Sequence, residues 1–65
     1  MTSELIPVRS SCIRAIGYQD GTLIVRFTSG RVYDHSGVPY PVFRGFLQSA
    51  SKGWFYNSYI RGRYR

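Results

Sequence analysis

Apolar residues follow a two-residue beat in the first half of the chain and a helical beat in the second. Ser10 to Tyr18 reads as a first strand, and Thr22-Leu23-Ile24-Val25-Arg26-Phe27, dense in β-branched and aromatic side chains, as a second. Asp20-Gly21 between them is a strong two-residue hairpin signal, because a type I′ turn needs positive φ at both central positions. Ser29-Gly30 is a weaker turn, and Arg31-Val32-Tyr33-Asp34-His35 follows it as a third strand.

These turns imply registers. A two-residue loop at Asp20-Gly21 pairs Gln19 with Thr22, Tyr18 with Leu23 and Ile16 with Val25. A two-residue loop at Ser29-Gly30 pairs Phe27 with Val32, Arg26 with Tyr33 and Ile24 with His35. Side chains alternate across a sheet, so one face carries Ile16, Tyr18, Leu23, Val25, Phe27 and Val32, the core face. The other carries Ala15, Gly17, Ile24, Arg26, Tyr33 and His35, and its small residues leave Arg26, Tyr33 and His35 uncovered. A bulge in either hairpin shifts the assignment by one residue and inverts it.

After Gly37 the period changes. Val38-Pro39-Tyr40-Pro41 leads into a helix, where proline is tolerated in the first turn. Val42, Phe43, Phe46, Leu47 and Ala50 form one apolar stripe, with Arg44, Gln48 and Ser51 opposite. Gly45 inside the helix costs it about 1 kcal/mol relative to Ala and predicts close packing there. Lys52 suits the last turn and Gly53 the position just beyond it. Phe55, Tyr56, Tyr59 and Ile60 have i, i+4 spacing and predict a short second helix or helical turn ending before Gly62. The expected fold is α+β: a three-stranded antiparallel β-meander, then an amphipathic helix and that short second helix. Residues 1–9 form a lead that Leu5, Ile6 and Val8 could pin to the domain, 10–60 the single domain, and 61–65 a basic, exposed tail.

Charge changes the picture more than length does. The 65 residues carry nine basic against three acidic side chains, a net charge of +6, and eight of the nine are Arg. Arginine gives planar, bidentate contacts to phosphate or carboxylate, which points to an anionic partner: nucleic acid first, an acidic protein surface second. The plainer reading of a basic excess is solubility alone. Cys12 is the single cysteine, which rules out an internal disulfide, and Cys12 with His35 falls short of a metal site. Cys12 is expected to be a small buried or half-buried apolar residue in a reducing compartment. No apolar run is long enough to span a membrane and no leader is visible, so the expected location is the cytoplasm, without membrane attachment.

No catalytic set emerges. His35 is the sole imidazole, and its neighbour Asp34 points to the opposite face of the same strand. Nothing places any of the serines beside a base, and Ser10-Ser11 is better read as local hydrogen bonding at the strand start. Glycines near Ser51-Lys52-Gly53 lack the spacing of a phosphate loop. The chain reads as a non-enzyme without a cofactor.

One family matches these motifs. Val8-Arg9-Ser10-Ser11-Cys12-Ile13, Ile16-Gly17-Tyr18, Leu23-Ile24-Val25-Arg26-Phe27, Gly30-Arg31-Val32-Tyr33, Gly37-Val38-Pro39, Ser51-Lys52-Gly53, Asn57 and Ile60-Arg61 resemble the KTSC domain. That module occurs at the C-terminus of some lysyl-tRNA synthetases and as stand-alone bacterial and phage proteins. The family's central Tyr-x-Tyr stands here as Tyr33-Asp34-His35, and its Tyr-Phe-Asn as Phe55-Tyr56-Asn57. The resemblance implies a non-catalytic module, with RNA binding the suggestion that fits attachment to a tRNA-handling enzyme.

The segment from Ser51 to Arg65 holds the only Trp, three of the six Tyr and four of the nine basic residues. Its rings either close the small core or present stacking surface. In the binding reading, Arg26, Tyr33 and His35 form an open sheet face bordered by Lys52, Trp54, Arg61, Arg63 and Arg65, which takes RNA or other nucleic acid. In the second reading the module docks on an acidic surface of a larger host enzyme and modulates it, with Trp, Tyr and Arg as anchors. A homodimer through an unpaired strand edge is a third arrangement.

Overall fold

In the computed structural model, which describes residues 5–64, the chain runs β1 (Ile6–Pro7), β2 (Ile13–Gln19), β3 (Thr22–Phe27), β4 (Val32–His35), α1 (Tyr40–Gln48), α2 (Lys52–Phe55) and a π-helical turn (Tyr56–Ile60). The strands form one antiparallel sheet in the order β1-β2-β3-β4. It has four strands rather than the expected three, because Ile6 and Pro7 of the lead pair with Ile16 and Ala15.

The first hairpin closes as its turn chemistry requires. Asp20 and Gly21 take φ of 51° and 80°, the double positive φ of a type I′ turn, and Gln19↔Thr22, Tyr18↔Leu23 and Ile16↔Val25 follow. Beyond Ala15 the ladder slips: Ala15 faces Arg26, yet Ile13 faces Phe27, leaving Arg14 as a bulge. The bulge turns Ile13 onto the core side with Ile16 and leaves Arg14 in solvent.

The second hairpin corrects the sequence reading. Gly30 N–H donates to the Phe27 carbonyl, Phe27 N–H to the Arg31 carbonyl, and Gly30 has φ 97°. The loop is therefore Thr28-Ser29-Gly30, a turn followed by a left-handed glycine, rather than Ser29-Gly30 alone. One extra loop residue moves the register by one: Arg26 pairs with Val32, Val25 with Tyr33 and Leu23 with His35. Tyr33 and His35 thus stand on the core face with Val25 and Leu23. Val32, expected inside, is 51% exposed, on the far face with Arg26.

Val38 locks the connection into α1. Its N–H donates to the Gly21 carbonyl, its own carbonyl accepts the Tyr18 hydroxyl at 2.6 Å, and its side chain is buried. The Tyr18 ring then stacks on Phe43 of α1, centroids 5.0 Å apart.

The helices cover one face of the sheet, and Ile13, Ile16, Leu23 and Val25 meet Phe43, Phe46, Tyr56 and Ile60 across the core. α1 ends at Gln48, earlier than its stripe suggests, and Ala50 lies beyond it in solvent. Ser51 then accepts the Trp54 N–H and caps α2, so Lys52 and Gly53 open a second helix instead of closing the first. The Lys52 ammonium donates back to the Ser49 carbonyl at the C-terminal end of α1, where a cation is favoured. Gly45 packs closely as expected: a Cβ there would lie 3.3 Å from the Phe55 ring.

Candidate functional site: a cleft between the sheet and the C-terminal helical turn

The corrected register brings the chemistry to one place. Tyr33 and His35, on the core side of the edge strand β4, face the π-helical turn across a cleft of about 500 Å³. Phe27 and Ile13 continue its sheet wall, and Tyr56, Asn57 and Arg61 supply the opposite wall.

The π-helical turn is what aims that wall. Arg61 N–H donates to the Tyr56 carbonyl five residues back, at 2.8 Å, so the turn is one residue wider than an α-helical one. Tyr56 and Ile60 point inward and are buried, while Asn57 and Arg61 are exposed at the cleft. No described residue holds the Asn57 amide or the Arg61 guanidinium in a hydrogen bond or ion pair.

His35 is the fixed point of the floor. Its Nδ1 lies 3.2 Å from the Tyr64 carbonyl and its Nε2 2.9 Å from the Tyr56 hydroxyl. A carbonyl only accepts, so Nδ1 carries the proton; in the neutral ring Nε2 then accepts from the Tyr56 O–H. Burial pushes the Tyr56 phenol above its ordinary value of 10.0, the nearby Tyr33 adds to the rise and Arg61 opposes it. The Tyr56 hydroxyl therefore stays protonated, as a donor to His35 must.

The rings of the wall stand at steep angles. Phe27 meets Tyr33 edge to face at 5.5 Å and 77°, and Tyr56 at 5.2 Å and 82°. The Arg31 guanidinium donates to the Tyr33 hydroxyl at 3.3 Å, and that bond is the main cause of a rise in the Arg31 pKa.

At the other end, Cys12 is exposed, not buried as composition suggested. Its thiol lies 3.6 Å from Ser10 Oγ, and Ser10 Oγ accepts the N–H groups of Cys12 and Ile13, the local bonding expected of the strand start. A Cβ on Gly53 would sit 2.9 Å from the Cys12 sulfur, so the glycine of Ser51-Lys52-Gly53 permits α2 to approach β2 closely.

Of the residues singled out from sequence, the cleft gathers Tyr33, His35 and Arg61. Arg26 is on the opposite face of the sheet, not beside Tyr33 and His35, because of the register shift. The Lys52 ammonium is engaged with Ser49. Trp54, 61% exposed, packs edge to face on Tyr59 at 5.6 Å, outside the cleft, while its neighbour Tyr56 is in the core: the Trp54-Phe55-Tyr56 run divides between surface and interior. Arg63 is exposed, and Arg65 lies outside the described residues. Sequence reasoning missed Arg31, Tyr56, Cys12 and Asn57 as contributors. Asn57 carried a signal, its place in the motif after Ser51-Lys52-Gly53; the bond from Tyr56 to His35 carried none. Among the described residues, no group of His, Cys, Asp or Glu side chains could hold a metal ion, and no helix is long and apolar enough to cross a membrane.

Comparison with known proteins adds identity to this geometry. Residues 9–64 match the family described as KTSC domain. The crystal structure of a KTSC domain protein from Yersinia pestis is 33% identical, with a TM-score of 0.93 over 98% of this chain and 93% of that one. Among curated proteins none matches.

Proposed function

The chain belongs to the KTSC domain family, and from that premise we propose that it is a non-catalytic module that binds single-stranded RNA along the cleft. The observation that carries the reading is the pairing of aromatic walls with a guanidinium, Arg61, that no described residue neutralises. Rings supply sequence-tolerant stacking of roughly 1–3 kcal/mol per base, and arginines supply phosphate contacts. The net charge of +6 draws a polyanion to the whole surface. Engagement of both His35 nitrogens supports a binding role over general base catalysis.

A second reading has one observation behind it. The exposed Trp54–Tyr59 pair lies outside the cleft and suits an anchor on an acidic protein surface.

Fluorescence anisotropy with labelled single-stranded RNA at about 50 and about 200 mM salt tests the proposal. With about four to six phosphates of a single strand neutralised, the log–log salt slope lies near −3 to −4, and affinity falls well over tenfold between the two conditions. Tyr33→Ala and the double variant Arg61→Ala/Arg63→Ala each weaken binding. Absence of binding at the lower salt overturns the proposal; a protein complex anchored by Trp54 retains most of its affinity at the higher salt.

A further inference from the structure

The cleft can be read more finely than as a stretch of RNA-binding surface. Its volume of about 500 Å³ is that of a small-ligand site, since such sites span roughly 300–1,000 Å³. It has room for one nucleotide unit and not for a paired strand. Phe27 stands nearly perpendicular to both Tyr33 and Tyr56, so a planar group laid on one ring meets the edge of another.

The polar groups divide into satisfied and unsatisfied. His35 and the Tyr56 hydroxyl are bonded to each other and to the Tyr64 carbonyl, and make no demand on a ligand. The Asn57 amide and the Arg61 guanidinium are unspent among the described residues. An amide offers a donor and an acceptor in one plane, the pattern that pairs with the edge of a base. A guanidinium offers the fork that matches phosphate. Asn57 stands in the π-helical turn and Arg61, four residues on, caps its end. Arg31, held on the Tyr33 hydroxyl, adds a second guanidinium beside Tyr33. Among the described residues no carboxylate lines the cleft, and Asp34, opposite Ile24, is on the far face of the sheet.

We infer that the cleft is a single-nucleotide pocket, taking one unstacked base against Tyr33 and Phe27, with Asn57 on the base edge and Arg61 on its phosphate. The inference rests on the RNA-binding proposal and sharpens it: one position of the bound strand is read, and the others are held by charge.

The test titrates the intact protein, observed by amide NMR, with each of the four 5′-ribonucleoside monophosphates, and runs the single-stranded RNA titration beside it. The monophosphates bind in the millimolar range, saturably shifting Tyr33, His35, Asn57 and Arg61, and one base is preferred. Asn57→Ala reduces that preference by about fivefold or more, while Arg61→Ala weakens all four by roughly tenfold without changing their order. Both positions are exposed, and a dispersed spectrum shows that each variant folds. If RNA binds while the monophosphates leave the cleft resonances unmoved, the single-nucleotide pocket is overturned and the RNA proposal stands. If neither binds, both fall. A base preference that survives Asn57→Ala overturns the role given to the amide.

Discussion

The Tyr56 hydroxyl lies 2.9 Å from Nε2 of His35, and this bond joins the C-terminal helical turn to the edge strand of the sheet. His35 passes the connection on through Nδ1 to the Tyr64 carbonyl. One side chain on a four-residue strand thereby fixes both the wall of the cleft and the C-terminal segment at Tyr64.

Tyr56→Phe tests that link. At neutral pH it costs about 1 kcal/mol, because Nε2 loses its donor while the ring still fills the core. The variant also changes the alkaline limb. The phenol pKa is raised in the folded protein above 10.0, chiefly by burial, so folding favours the neutral form. Its contribution is whole below the unfolded value and is lost as pH rises through the folded one. Urea midpoints from about pH 8 to about pH 11 fall more steeply for the unsubstituted protein than for Tyr56→Phe. Parallel curves would show that Tyr56 titrates as it does in the unfolded chain.

Gly53 and Cys12 form a steric pair. A Cβ at Gly53 would meet the sulfur at 2.9 Å, so Gly53→Ala pushes the thiol off Ser10 or lifts α2 from β2. With Cys12→Ala in place the obstacle is gone, and alanine recovers about 1 kcal/mol of helix propensity at position 53. A double-mutant cycle by chemical denaturation gives a less unfavourable Gly53→Ala in the Cys12→Ala background. Equal costs in both backgrounds would show that the contact does not constrain the helix.

Phe46 is fully buried, stacked on Phe55 at 5.4 Å and tilted against Tyr56 at 6.2 Å. Phe46→Ala removes about 3–5 kcal/mol, close to the whole margin of a domain this small. Circular dichroism at 25 °C shows a largely unfolded variant, and a cooperative transition near that of the parent protein would contradict the packing described.

The same particulars show which parts of the structure were legible beforehand. Asp20-Gly21 specified its own turn, and with it the β2–β3 register and the inward set Ile16, Leu23 and Val25. Gly45 announced a close contact because glycine inside a helix has few other uses. Ser29-Gly30 was ambiguous by nature: its glycine serves a two-residue loop or ends a three-residue one, and the difference inverts the face of Tyr33 and His35. β1 was out of reach, because two residues, one of them a proline, carry no periodicity. The split of Trp54 from Tyr56 follows from a helix that opens at Lys52, where sequence reading ended one: two residues apart, they lie about 200° around its axis. So the aromatic and basic ingredients of the site were visible, and the wall on which each stands was not.

The central claim is that nucleic acid enters the cleft rather than the opposite face. Amide NMR shift mapping with a short single-stranded RNA at low salt tests it most directly. Perturbations centred on Tyr33, His35, Asn57 and Arg61, with Ile24, Arg26 and Val32 unmoved, are the predicted result. A map centred on Arg26 and Val32, with the cleft silent, would contradict it.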